Sequence, residues 1–176
     1  MKAIAALLFA FSLTLPARAE LPAAVYALAP ESPAQWRALG QGEMRWLGFR
    51  LYEATLWVSG ERYQDSAPFA LQLRYAREIS RDRLVSSSMS EMRRLGWRDE
   101  AQLRRWESAL ESIFPDVAAG HVIVGVSLPG RGAAFFHDGR PVGEVADPEF
   151  ARAFFAIWLD ARTRAPELRA RLLQDS

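Results

Sequence analysis

HVIVGVSLPGRGAAFFHDGRPVGEVADPEFARAFFAIWLD, residues 121–160, is the stretch that decides the fold. His121 to Leu128 is β-branched and apolar, Pro129-Gly130 is a turn, Ala133 to Phe136 runs back, and Asp138-Gly139 opens a hairpin into Val142 to Val145. Three strands in meander order follow from that spacing. Asp147 then caps a helix with Pro148 at its first position. Phe150, Phe154, Phe155, Ile157 and Trp158 make this helix apolar on most sides, which is the pattern of a buried element.

Working upstream, two helices precede the meander. The first runs from about Ser80, its N-cap, to Leu95 and is closed by Gly96. The second has Asp99 as cap with Gln102 three residues on, places Leu103, Trp106, Leu110 and Ile113 on one face, and ends at Pro115. Before them, Phe69, Leu71, Leu73 and Tyr75 alternate with Ala70, Gln72, Arg74 and Ala76, a strand with one core face. From Glu43 to Ser59 the alternation slips phase around Gly48, which reads as one long bulged or bent strand. A short charged helix from about Pro166 to Leu173 closes the chain. Strands, helices, strands and helices without strict alternation predict an α+β fold, an antiparallel sheet with helices on one face.

The other end of the sequence carries an address. Lys2, the apolar run Ala3 to Leu15 and Ala17-Arg18-Ala19 have the layout of a cleavable signal peptide over residues 1–19. Residues 20–35, rich in Ala and Pro, read as an extended lead-in, and 36–176 as one domain. The expected location is therefore the periplasm or the exterior, with no membrane span after cleavage. The 176 residues hold 22 Lys plus Arg against 21 Asp plus Glu, a balance that gives no basic excess for nucleic-acid binding. Cysteine is absent, which removes thiolate metal sites, redox pairs and a cysteine nucleophile.

Recognisable chemistry is sparse. Gly40-Gln41-Gly42 lacks the third glycine and preceding strand of a dinucleotide site, and neither a phosphate-binding G-x-x-x-x-G-K-[ST] loop nor a G-x-S-x-G elbow occurs. Ser86-Ser87-Ser88 reads as polar helix surface. His121 and His137, the two histidines, have no carboxylates at metal-ligand spacing, so no metal and no cofactor is expected. Arg45 stands out, lying between Met44 and Trp46 in a mostly apolar strand. A guanidinium at the mouth of an apolar cavity can hold a carboxylate while the cavity takes the hydrocarbon; the alternative is a sheet-edge arginine reaching water. Tyr52, Thr55 and Tyr75 are candidate hydroxyl donors beside it.

GQGEMRWLGFRLYEATLW (40–57), YAREISRDRLVSSSMSEMRRLG (75–96), W-x3-L-x2-IFPDV-x2-G (106–120) and GEVADPEFARAFFAIWLD (143–160) together resemble the bacterial chalcone isomerase-like family. The resemblance implies an open-faced β-sandwich with a cleft between sheet and helices. Plant chalcone isomerases use an early-strand arginine with tyrosine, asparagine and threonine around that cleft. Arg45 matches the arginine, with the spacing after the glycines differing by one residue. Ser80 to Met89 supplies neither the tyrosine nor the asparagine, and Glu53 falls near the threonine position. The residues that position the plant substrate are thus missing, and chalcone isomerase activity is not expected.

Three readings remain open. One is a non-catalytic exported protein binding a lipophilic carboxylate such as a fatty acid through Arg45, as the wider superfamily suggests. Another is an isomerase or intramolecular lyase, with Arg45 stabilising an oxyanion and Tyr52 or Tyr75 donating a proton or a hydrogen bond. The last is an accessory protein whose cleft is filled by Trp46, Trp57, Phe154 and Trp158.

Overall fold

The structure is a computed structural model and describes residues 20–28 and 36–174; the expected signal peptide lies outside them. Eleven elements follow one another among these residues: α1 (Ala23–Leu28), β1 (Arg37–Trp46), β2 (Phe49–Val58), β3 (Phe69–Tyr75), α2 (Arg81–Leu95), α3 (Glu100–Ile113), β4 (Val122–Leu128), β5 (Gly132–His137), β6 (Arg140–Val145), α4 (Pro148–Leu159) and α5 (Pro166–Leu173). The six strands form one antiparallel sheet in chain order, β1 to β6. Helices α2, α3, α4 and α5 pack on one face through Leu71, Leu73, Ile123 and Phe135 of the sheet. The α+β expectation describes this architecture.

Two local expectations need correcting. The phase slip at Gly48 is a two-residue hairpin turn between separate strands. Leu47 and Gly48 have φ of 48° and 82°, and Trp46 pairs with Phe49 across them. Positive φ at both turn positions matches the twist of the strands they join, which is why the chain reverses here rather than bending. The lead-in is also not wholly extended: Ala23–Leu28 form α1, whose Val25 is fully buried against the sheet face opposite the large helices. There it meets Trp57, Val124, Val126 and Phe136, so the outer face of the sheet has a small core of its own.

Helix caps carry the layers together. The Asp99 carboxylate accepts from the amides of Ala101 and Gln102 at 2.9 and 3.1 Å. Ser80 stands at the N-cap of α2, yet its hydroxyl makes no cap bond; Asp116, from the loop after α3, accepts the Arg81 amide at 2.8 Å instead. Asp147 accepts from the Glu149 and Phe150 amides with one oxygen and from the Trp106 indole with the other, at 2.8 Å, tying α4 to α3. Burial works to raise the Asp147 carboxyl, but the indole and amide donors outweigh it and hold the group below the ordinary range.

At the opposite edge, α5 lies on β1. Gly40 leaves room for the helix backbone: a Cβ there would run into the carbonyl oxygens of Arg171 and Leu172.

Candidate functional site

Strand alternation sends Tyr52, Ala54 and Leu56 of β2, and Leu71, Leu73 and Tyr75 of β3, to the helix side of the sheet. The helices do not cover that side completely. A cavity of about 1140 Å³ remains between the sheet and α2, α4 and α5, a little above the ~300–1,000 Å³ that ligand sites usually offer. Its floor is Leu71, Leu73, Ile123 and Phe135; its roof is Leu84, Phe154, Ile157 and Trp158. Exposed Arg45, Trp46, Arg77 and Arg83 stand where it meets solvent.

Tyr52 and Tyr75 bring phenolic groups to a lining that also includes Ser87, Ser90, Glu91 and Arg164. They face each other across the β2–β3 ladder with ring centroids 5.8 Å apart, edge to face. The Tyr52 oxygen accepts the Trp158 indole N–H at 2.9 Å. That bond uses an oxygen lone pair and leaves the phenolic proton free to donate. The Tyr75 hydroxyl, lining the same cavity, has no hydrogen-bond partner among the described residues. Desolvation pushes the Tyr52 phenol up to about 12 and Tyr75 higher still. Both remain neutral donors at any ordinary pH. The arrangement can give two O–H hydrogen bonds to an anion, and neither phenol serves as a base.

Arg45 occupies the mouth, not the interior. Its side chain is 59% exposed, beside a register shift between Met44 and Arg45. Glu43 takes both its Nε and Nη2, at 3.0 and 2.7 Å, and also holds Arg50 at 3.0 Å. The two guanidinium contacts lower the Glu43 carboxyl, Arg45 more than Arg50. The expected anion anchor is therefore already paired within its own strand. The sequence does carry the signal for this pair: a glutamate two residues before an arginine lies on the same strand face.

Thr55 is not part of this group. Three residues on from Tyr52, it points to the opposite face, 3% exposed, between Gln41 and Gln72 in the ladder. Trp57 shares that outer face and donates to Gln72 Oε1 at 3.0 Å, while Trp46 is 60% exposed on the hairpin tip. Of the four aromatics expected to fill the cleft, Trp57 thus lies on the other face, Trp46 stands exposed at the mouth, and Phe154 and Trp158 line the roof, so the cleft is open; the filled-cleft reading fails on that geometry.

The acidic groups lining the cavity are Glu43, Glu78, Glu91 and Glu167, and its lining includes no histidine. Glu91 is bridged by Arg94 at 2.7 Å and Arg164 at 3.2 Å. Glu43, its carboxyl lowered by Arg45 and Arg50, is a poor proton acceptor.

Comparison with known proteins agrees with this geometry. The sequence pattern described as chalcone isomerase-like matches residues 40–174. The chain belongs to the chalcone isomerase-like family. The chain is also similar to an uncharacterized protein of Haemophilus influenzae, 26% identical over 141 residues, 80% of this chain and 69% of that one. The fold is similar to the crystal structure of an Arabidopsis thaliana fatty-acid binding protein, with a TM-score of 0.63 at 13% identity, covering 81% of this chain and 88% of that chain. No helix among the described residues is long and apolar enough to cross a membrane.

Proposed function

We propose that this chalcone isomerase-like protein binds a lipophilic carboxylate of the fatty-acid type in the cleft, without transforming it. The single observation that carries the reading is the pair of neutral phenols, Tyr52 and Tyr75, set beside the apolar floor and roof of the cavity with their protons available. A carboxylate accepts such O–H bonds more strongly than a neutral oxygen does, and Leu71, Leu73, Ile123 and Phe154 suit the hydrocarbon tail. The fatty-acid binding protein of similar fold supports the same ligand class. Arg45, paired with Glu43 at the mouth, guides the anion electrostatically instead of gripping it. We place the protein outside the cytoplasm after loss of residues 1–19, on the signal-like layout of that segment.

Native mass spectrometry with lipid extraction tests this directly. The protein purified from the periplasm carries a co-purifying acidic lipid, and Tyr52→Phe with Tyr75→Phe loses it. A clean apo mass for the wild-type chain that stays apo after incubation with long-chain fatty acid would overturn the reading.

A further inference from the structure

His121 and His137 are sixteen positions apart and sit outside the cleft, yet the sheet brings them together. His137 closes β5 opposite Ile123 of β4, and the Asp138 amide donates to Val122 O, so the β4–β5 ladder fixes one imidazole. His121 is fixed just before β4 by the Tyr75 amide on its carbonyl, at 2.9 Å, and by its own amide on Ala118 O, at 3.1 Å. The result places His121 Nδ1 3.3 Å from His137 Nε2. Asp138 Oδ2 lies 3.3 Å from the same His137 nitrogen. All three ligand atoms fall within 4.8 Å of one another.

Those separations have a metal's dimensions. Zinc bonds of about 2.0–2.1 Å to nitrogen and oxygen, arranged tetrahedrally, put neighbouring donors roughly 3.3–3.4 Å apart. Two of the three donor separations have that length before any adjustment. The carboxylate is also oriented in the way ligating carboxylates are: Asp138 Oδ1 accepts the Val122 amide at 2.8 Å, leaving Oδ2 for the cluster. Asp138 itself sits at φ 47° in the β5–β6 turn, a left-handed position that aspartate tolerates and that turns its side chain back beside His137. The His137 side chain is 21% exposed and that of Asp138 45%, partly desolvated yet open enough for an ion and water to enter.

We propose that His121 Nδ1, His137 Nε2 and Asp138 Oδ2 form a binding site for a divalent late first-row transition ion, zinc foremost, with a fourth position left to water or an exogenous ligand. Two imidazoles and one carboxylate select this class over magnesium or calcium, which take all-oxygen shells. None of the three residues lines the cleft, so the site stands or falls independently of lipid binding. The expectation that no carboxylate accompanies the histidines is corrected by Asp138, adjacent to His137 in sequence, while the strand pairing supplies the second imidazole.

The test uses the untagged chain, whose two histidines and absent cysteines make any imidazole-dependent binding assignable. Calorimetric titration with Zn2+ alone gives one saturable site per chain; His121→Gln and His137→Gln each weaken it at least about 100-fold and Asp138→Asn about 10-fold or more. Nitrogen NMR of the wild-type imidazoles, which needs no variant, shows zinc shifts at His121 Nδ1 and His137 Nε2. Absence of saturable binding, binding that survives the double histidine variant, or shifts at the opposite ring nitrogens overturns the proposal.

Discussion

The indole of Trp158, on α4, donates its hydrogen bond to the hydroxyl oxygen of Tyr52, on β2, at 2.9 Å. This contact fixes the direction of the Tyr52 hydroxyl from across the cavity and joins the roof of the cleft to its floor. Phenylalanine at 158 keeps most of the ring burial and removes the donor. Trp158→Phe is expected to cost about 1–2 kcal/mol, a hydrogen bond plus imperfect packing, read as a lower denaturant midpoint with unchanged slope.

The two phenols and the arginine separate in a binding experiment. Displacement of a fluorescent fatty acid should show Tyr75→Phe weakening affinity by about tenfold or more, the worth of a hydrogen bond to a charged group. Arg45→Ala should change it less than about threefold, because Glu43 already occupies the guanidinium. The reverse ranking would move the anchor to the cavity mouth.

Acid sensitivity follows from carboxyls held below their ordinary values. Asp160 lies at about 2, chiefly through its bond to Arg162, and Asp147 is lowered as described. A depressed folded value contributes stability that is complete above the unfolded value, 3.8, and is lost as pH falls through the folded one. Thermal melts should therefore be flat across neutral pH and decline from about pH 4 toward 2. Asp147→Asn should be less stable at neutral pH and show a shallower acid decline; an equally steep decline would locate the sensitivity elsewhere.

Gly40 and Gly60 make a matched pair. Alanine at 40 meets the α5 backbone, whereas a Cβ at 60 meets nothing within 4 Å. Gly40→Ala should cost about 1–3 kcal/mol, while Gly60→Ala should be near neutral. Calorimetric melting of the two variants decides it, with equal melting temperatures counting against a close β1–α5 contact.

How much of this was legible follows from the range of the determining contacts. The β3 alternation, the meander from His121 to Val145 and the Asp99 and Asp147 caps are local signals, readable from neighbours in sequence. Leu47-Gly48 was misread because a leucine at positive φ gives no turn signal, and the phase slip fits a bulge as well as a hairpin. Asp116 capping α2 from 35 positions away could not be seen. At the site, the face shared by Tyr52 and Tyr75 was available from the two-residue period, and the same period already excluded Thr55. Glu43 and Arg45 share a face by that period too, but their pairing and the meeting of the histidines depend on rotamers and register, which no single stretch encodes.

The seating of α5 on β1 also sets an order of events during synthesis. β1 is among the first parts of the domain to leave the ribosome and α5 is the last described helix to do so. Until then the cavity lacks Leu168 and Arg171 from its wall, and β1 lacks the cover that Gly40 accommodates. A nascent chain thus leaves one face of β1 and the adjoining cavity wall uncovered through nearly all of its translation. Shortening the carboxyl end by one helix would make that transient state permanent, so aggregation during expression, more than loss of binding, is the expected fate of such a truncation.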